Sequence, residues 1–167
     1  PAQKDNCTKT IWRVRILKIQ DTLSGTEKEL ESEKVRIYLC GVTVYDESHI
    51  GHARTLIVFD VLRRFLESKG IEVEFIQNFT DVDDKIINRA KRENVRASAI
   101  SSRYIQEYYE EFDALNVKRA TKYPKATEHI DDMLDLIQDL VDKKIAYVSK
   151  NGVYFSVAKF PEYGKLS

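Results

Sequence analysis

The chain has 167 residues, the size of a single domain or of one domain with part of a second. It carries 27 basic and 27 acidic side chains, and this zero net charge counts against a dedicated nucleic-acid-binding module. The composition, 43% hydrophobic and 32% charged, argues against a disordered chain. Two cysteines are too few for a disulfide framework, and no apolar run reaches the roughly 18 residues of a membrane span. We therefore expect a cytoplasmic protein with no membrane segment.

The first half of the chain predicts two parallel strands joined by a helix. Residues 11–20 alternate between apolar and polar as in a strand, and the polar stretch 21–33 predicts a loop or a short hairpin. The apolar run 35–40 predicts the next strand, a helical repeat of apolar residues predicts a helix over 49–69, and residues 71–76 alternate again. This strand, helix and strand together have the size of a parallel strand pair with its crossover helix.

The second half of the chain predicts helices and one hairpin. Helices are predicted over 83–94, 97–116 and 126–144, and the last of them has the clearest apolar stripe. The pair Asn151-Gly152 between two short apolar runs predicts a β-hairpin. Because a doubly wound sheet needs more strands than these, the sequence predicts an α/β protein with the first half of such a fold.

A phosphate-binding pattern lies at the predicted start of the first long helix, for which Ser48 is the predicted N-cap. His49 and His52 are three residues apart, so they share one face of the first turn, where free N–H groups and the helix dipole favour an anion. Gly51 leaves room for a ligand to approach the backbone. The pattern favours a site that stabilises charge on a transferring nucleotidyl phosphorus. The alternative is a pair of solvent-facing histidines at a helix cap.

A cysteine stands at the end of the strand before that helix, in the sequence Cys40-Gly41-Val42-Thr43. Cys40 is either a small buried hydrophobic residue or a thiolate that faces the site. Composition alone favours the buried position, because free cysteine is among the most buried residue types.

A third polar segment, residues 78–85, follows the strand that ends near Ile76. Thr80 or Asp81 is a candidate N-cap for the helix that follows. In the functional interpretation, Asn78 and Thr80 instead present polar groups to the same cleft, and an aspartate holds a substrate ammonium group.

These segments resemble the cysteinyl-tRNA synthetase family. The resemblance lies in CGVTVYD (40–46), HIGHART (49–55) and NFTDVDDKII (78–87), and continues through 112–116 and 163–167. It covers the chain from about residue 13 to its last residue. The tetrapeptide HIGH alone is typical of class I synthetases and related nucleotidyltransferases, whereas the three motifs in this order and at these spacings are specific.

The resemblance implies that cysteine is activated with ATP, forming cysteinyl-adenylate, and is then transferred to tRNA(Cys). The residues expected on ATP, which would enter with Mg²⁺, are Thr43, His49, Ile50, Gly51 and His52. Of these, His49 and His52 are the expected catalytic residues. The residues expected around the amino acid are Gly41, Asn78 and Thr80. Cys40 is expected to be one ligand of a Zn²⁺ ion that binds the substrate thiolate, because a soft metal selects sulfur over a serine hydroxyl.

The resemblance also implies how the chain is divided. Residues 1–117 are expected to form the N-terminal half of a Rossmann-like (HUP-type) nucleotide-binding domain, and residues 118–167 the start of an inserted connective region. The family's other zinc ligands, KMSKS loop and anticodon-binding helices follow the matched region. We therefore expect the isolated chain to lack full activity, the C-terminal half being supplied in cis or as a separate chain.

Two alternatives stay open. One is the cysteine ligase of mycothiol synthesis, which shares the fold and the zinc chemistry but prefers a proline at the position of Val44. The other is a non-catalytic nucleotide-binding half-domain.

Overall fold

The computed structural model describes residues 17–30 and 32–166. The described part of the chain begins with an antiparallel hairpin, β1 (Leu17–Asp21) and β2 (Thr26–Leu30). The short hairpin predicted for this stretch is therefore confirmed. Most of the strand predicted over 11–20 lies outside the described residues, and its last four residues belong to β1.

The central unit consists of β3 (Lys34–Thr43), α1 (Ile50–Ser68) and β4 (Glu72–Thr80). The two strands pair in parallel, and the ladder has one irregularity between Leu39 and Val42. The predicted parallel strand pair with its crossover helix is confirmed. Both strands run beyond their predicted ends, and these extensions carry the polar motifs.

A third extended segment, residues 121–125, lies along the other edge of β4. The amide of Gln77 donates to the carbonyl of Lys122 (3.1 Å), and the amide of Phe79 donates to the carbonyl of Pro124 (2.9 Å). Isolated parallel bridges between Ile76 and Lys122 and between Phe79 and Lys125 pair the segment with β4. It lies inside the range that the sequence assigned to a connective region.

Two helices, α2 (Asp84–Glu93) and α3 (Ala97–Ala114), complete the core beside this sheet. Alternation along β4 turns Val73, Phe75 and Phe79 inward, and Phe79 is fully buried. On α3, Tyr104, Tyr108 and Phe112 are buried, whereas Leu115 just after the helix is exposed. This core fixes the two strand ends that frame the candidate site.

The last part of the chain contains a 3₁₀ turn (Ala126–His129), α4 (Ile130–Asp142) and a hairpin of β5 (Ala146–Ser149) and β6 (Gly152–Phe155). The hairpin predicted at Asn151-Gly152 is confirmed. The apolar stripe of α4 is largely exposed. Within the described residues, no helix is both long enough and apolar enough to cross a membrane.

Candidate functional site

Two histidines cap the start of α1. The N-cap is His49 rather than the predicted Ser48. The His49 imidazole accepts a hydrogen bond at Nδ1 from the amide of Gly51 (3.0 Å), and the amide of His49 donates to Nδ1 of His52 (3.3 Å). This is a capping box in which histidine replaces both usual residues, because imidazole Nδ1 can accept the same bonds as a hydroxyl or carboxylate.

The capping bonds select the tautomer that each ring adopts in its neutral form. A neutral imidazole that accepts at Nδ1 carries its proton on Nε2, so each ring has an Nε2–H group to donate to a ligand. The rings of His49 and His52 stack with centroids 3.8 Å apart. Burial, together with the adjacent His49 ring, lowers the pKa of His52 and keeps it neutral near pH 7. The pair therefore presents directed N–H donors at a helix N-terminus.

Glycine is required at residue 51 for this arrangement. A Cβ at that position would lie 2.8 Å from Cε1 and 2.9 Å from Nδ1 of His49. The missing side chain allows the His49 ring to lie over the first turn, where its Nδ1 meets the backbone.

A cavity of about 390 Å³ lies in front of this helix start. Its lining consists of Gly41, Val42, Thr43, Tyr45, Asp46, Glu47, His49, His52 and Lys85. The structure thus brings together Thr43, His49 and His52 from the residues predicted to bind ATP. Gly51 and Ile50 are not part of the lining, and the Ile50 side chain is 86% exposed.

A smaller cavity of about 130 Å³ adjoins the first. It is lined by Leu39, Cys40, Gly41, Val42, His52, Thr55, Leu56 and Gln77. The two cavities share Gly41, Val42 and His52. Gln77, which sequence reasoning missed, is buried and accepts a 2.6 Å hydrogen bond from the Tyr108 hydroxyl.

Cys40 is exposed, so the expectation of a buried cysteine was wrong. Alternation along β3 explains its position, since Arg36, Tyr38 and Cys40 all lie on the exposed side of that strand. No group of three or more His, Cys, Asp or Glu side chains able to hold a metal occurs in the described residues. Cys40 by itself does not fit a zinc site, which takes four ligands.

Asn78 and Thr80 join the ends of β3 and β4. The Asn78 side-chain oxygen accepts from the amide of Gly41 (2.7 Å) and from the Tyr38 hydroxyl (3.0 Å). The carbonyl of Thr80 accepts from the amide of Val44 (3.3 Å). Neither Asn78 nor Thr80 lines either of the two cavities. In this structure they shape the strand ends that form the cavity walls.

Two aspartates of the third motif, Asp81 and Asp83, bond to protein groups. Asp83 is the N-cap of α2 and accepts from the amide of Lys85 (2.8 Å), so neither Thr80 nor Asp81 is the cap. Asp81 accepts from the amide (2.9 Å) and the hydroxyl (2.6 Å) of Thr127. It thereby ties the end of β4 to the 3₁₀ turn that precedes α4.

An arginine of α2 holds the segment that leads into the histidine cap. The Arg89 guanidinium donates to the carbonyl of Tyr45 (3.1 Å) and to the carboxylate of Asp46 (2.8 Å). This contact, with a further bond from the Glu47 amide, lowers the pKa of Asp46. The Lys85 ammonium lies 5.1 Å from the centre of the Tyr45 ring. The segment CGVTVYD (40–46) and the segment NFTDVDDKII (78–87) are therefore linked through α2.

Sequence comparison assigns the chain to a family. The family model described as tRNA synthetases class I (C) catalytic domain matches residues 26–167. The chain belongs to this family. The resemblance to cysteinyl-tRNA synthetases seen in the motifs is thereby confirmed, as is the Rossmann-like α/β fold expected of a class I catalytic domain.

The curated relatives of this synthetase chain agree with the family model. Proteins named cysteine–tRNA ligase from Caldicellulosiruptor saccharolyticus, Aquifex aeolicus and Lactococcus lactis subsp. lactis are 58%, 55% and 51% identical, each over 154 residues. Each match covers 90% of this chain but 33%, 31% and 34% of the relative. The chain thus spans about a third of the length of these relatives.

A solved structure supports the fold. Mycobacterium tuberculosis methionyl-tRNA synthetase in complex with methionyl-adenylate superposes with a TM-score of 0.59 at 21% identity. The superposition covers 67% of this chain and 23% of the synthetase. At this identity the likeness concerns the fold alone.

Proposed function

We propose that the protein activates cysteine with ATP, forming cysteinyl-adenylate and pyrophosphate, and transfers the cysteinyl group to tRNA(Cys). The observation that carries this proposal is the histidine pair at the start of α1. Two imidazoles that accept capping bonds at Nδ1, and so have Nε2–H groups available, border a cavity at a helix N-terminus. That combination suits the oxygens of a polyphosphate. Family membership and the names of the relatives support cysteine as the amino acid.

The reaction is a displacement at the α-phosphorus of ATP. A carboxylate oxygen of cysteine attacks that phosphorus, and the bond to the oxygen bridging the α- and β-phosphates breaks. The bond electrons leave with pyrophosphate. Negative charge builds on the phosphate oxygens during the displacement, and donors that are already oriented stabilise it without reorganisation. In this proposal His49 and His52 supply those donors, and Thr43 lies on the same cavity wall.

The smaller cavity is the proposed amino-acid pocket. It shares Gly41 and His52 with the larger cavity, so a carboxylate at the boundary would lie next to a phosphate bound at the histidines. Mg²⁺ would arrive as part of the ATP substrate. A zinc ion would bind the substrate thiolate, but besides Cys40 it would need ligands that the described residues do not supply.

Pyrophosphate exchange tests this proposal. Exchange of labelled pyrophosphate into ATP by the protein that carries this chain is expected to require cysteine and to be negligible with serine. His52→Ala is expected to lower kcat by about 100-fold or more and to change ATP affinity much less, because the lost donor acts on developing charge. Equal losses in kcat and in ATP affinity would contradict the role of His52.

The acceptor needs a separate assay. Transfer of the cysteinyl group to tRNA(Cys), and not to an aminosugar, is the expected result. Preferential use of an aminosugar acceptor would instead identify the related ligase chemistry.

A further inference from the structure

One positively charged side chain in the wall of the candidate nucleotide cavity has not yet been given a role. Among the described residues that line this cavity, Lys85 is the single lysine or arginine. The other charged groups of the lining are the carboxylates of Asp46 and Glu47, and His52 is held neutral. A polyphosphate entering this cavity would meet two negative side chains and only one fixed positive charge.

The position of Lys85 in its helix is unfavourable without a partner. Lys85 lies in the first turn of α2, two residues after the N-cap Asp83 and directly after Asp84, where the helix dipole favours acidic side chains and disfavours basic ones. Lys91 and Arg92, by contrast, lie in the last turn, where basic residues are favourable. Helix stability therefore does not account for a lysine at residue 85.

The Tyr45 ring holds the Lys85 side chain against the cavity. The ammonium lies 5.1 Å from the ring centre, within the range of a cation–π contact. Arg89 in turn bonds the carbonyl of Tyr45 and the carboxylate of Asp46. Because Asp46 already has Arg89 as its cation, Lys85 remains available to an anion in the cavity.

We propose that Lys85 is a phosphate-binding residue of the nucleotide site, donating from α2 to a phosphate oxygen of ATP while the histidines donate from α1. This assignment rests on the proposed function. A lysine ammonium is a compact point charge with three donors, which suits the mobile oxygens of a polyphosphate. The carboxylate of the amino acid is the other anion that reaches this site, and the experiment separates the two.

The test measures the KM for ATP and the KM for cysteine in pyrophosphate exchange, using the protein that carries this chain. Lys85→Met keeps the length of the side chain and removes its charge. Lys85→Arg keeps the charge. Lys91→Met removes the same charge from an exposed position of the same helix and serves as the matched control. Thermal unfolding of each variant monitors the loss of the contact with Tyr45.

Lys85→Met is expected to raise the KM for ATP by about 10- to 100-fold, the usual effect of losing a hydrogen bond to a charged group. We expect the KM for cysteine to change little, Lys85→Arg to recover most of the loss, and Lys91→Met to match the unaltered protein. An unchanged KM for ATP in Lys85→Met would overturn the assignment. So would a rise confined to the KM for cysteine, which would place Lys85 on the amino-acid carboxylate.

Failure of the proposed function has a different signature. In that case the unaltered protein shows no cysteine-dependent exchange and binds no ATP by calorimetry, and the assignment of Lys85 falls with it. If the unaltered protein binds ATP and Lys85→Met binds it equally well, only the assignment of Lys85 is wrong.

Discussion

Replacing Gly41 with alanine tests a close approach between β3 and β4. An ideal Cβ at residue 41 would lie 1.4 Å from the carbonyl oxygen of Asn78 and 2.4 Å from its carbonyl carbon. Ordinary van der Waals contacts begin near 3.4 Å, so the two strands would have to separate by about 2 Å at this point. The obstacle is backbone, which cannot rotate aside as a flexible side chain can.

The cost follows from the bonds at this point of the ladder. Separation breaks the hydrogen bond from the Gly41 amide to the Asn78 side chain (2.7 Å) and strains the one from Val44 to Thr80 (3.3 Å). Each lost hydrogen bond costs about 1 kcal/mol, and forcing an extra methyl group into a packed site costs about 1–3 kcal/mol. We expect Gly41→Ala to lower the free energy of unfolding by about 3 kcal/mol or more.

Urea denaturation followed by circular dichroism measures this loss. Gly25→Ala is the matched control, because Gly25 has a positive φ of 68° but nothing within 4 Å of an added Cβ. Its expected cost is about 1 kcal/mol, from backbone conformation alone. Equal losses in the two variants, or a Gly41→Ala protein of normal stability, would refute the reasoning from strand contact.

Two further predictions concern polar pairs away from the histidine cap. Tyr108→Phe leaves the buried Gln77 oxygen without its 2.6 Å donor and should lower the free energy of unfolding, measured by urea denaturation, by about 1–3 kcal/mol. The control Tyr147→Phe, at an exposed position, should lower it by almost nothing, and equal losses would argue against the buried bond. Lys118 and Arg63 lower the pKa of Glu67, so its contribution is fully present above the ordinary value of 4.5 and is lost as pH falls through the lowered value. Glu67→Gln should therefore cost up to about 1 kcal/mol at neutral pH and nothing in strong acid, and a cost independent of pH would contradict the ion pairs.

The periodicity of the sequence predicted the central unit of the fold. Alternation in 71–76 and the helical repeat over 49–69 reflect burial on one side of each element, so β4 and α1 were predicted correctly. The extended segment 121–125, which pairs with β4, was not predicted. Its sequence Thr-Lys-Tyr-Pro-Lys has no apolar alternation, and it joins the sheet through backbone hydrogen bonds that leave no pattern in the sequence.

Part of the candidate site could be predicted for chemical reasons. His49 and His52 were identified because their spacing places both at one helix start, yet their capping bonds depend on backbone geometry that spacing does not specify. Gln77 and Lys85 were missed. Gln77 occupies a core position of β4 where an apolar residue is expected, and Lys85 is near the histidines only through the packing of α2.

On α4 the sequence pattern suggested more burial than the structure shows. The repeat predicted the helix correctly but also suggested burial, whereas Met133 is 42% exposed and Leu134 is 57% exposed. Such a stripe shows that one face of the helix is apolar, but whether other parts of the protein cover that face depends on the tertiary fold.

Nitrogen NMR of the two imidazoles tests the central claim most directly, which is that the histidine cap of α1 holds the phosphates of ATP. The account predicts that His49 and His52 are neutral rings with the proton on Nε2, and that ATP with Mg²⁺ shifts both Nε2 resonances while adenosine does not. The claim is contradicted if the rings are protonated on Nδ1. It is also contradicted if the protein is shown to bind ATP but the Nε2 resonances do not shift.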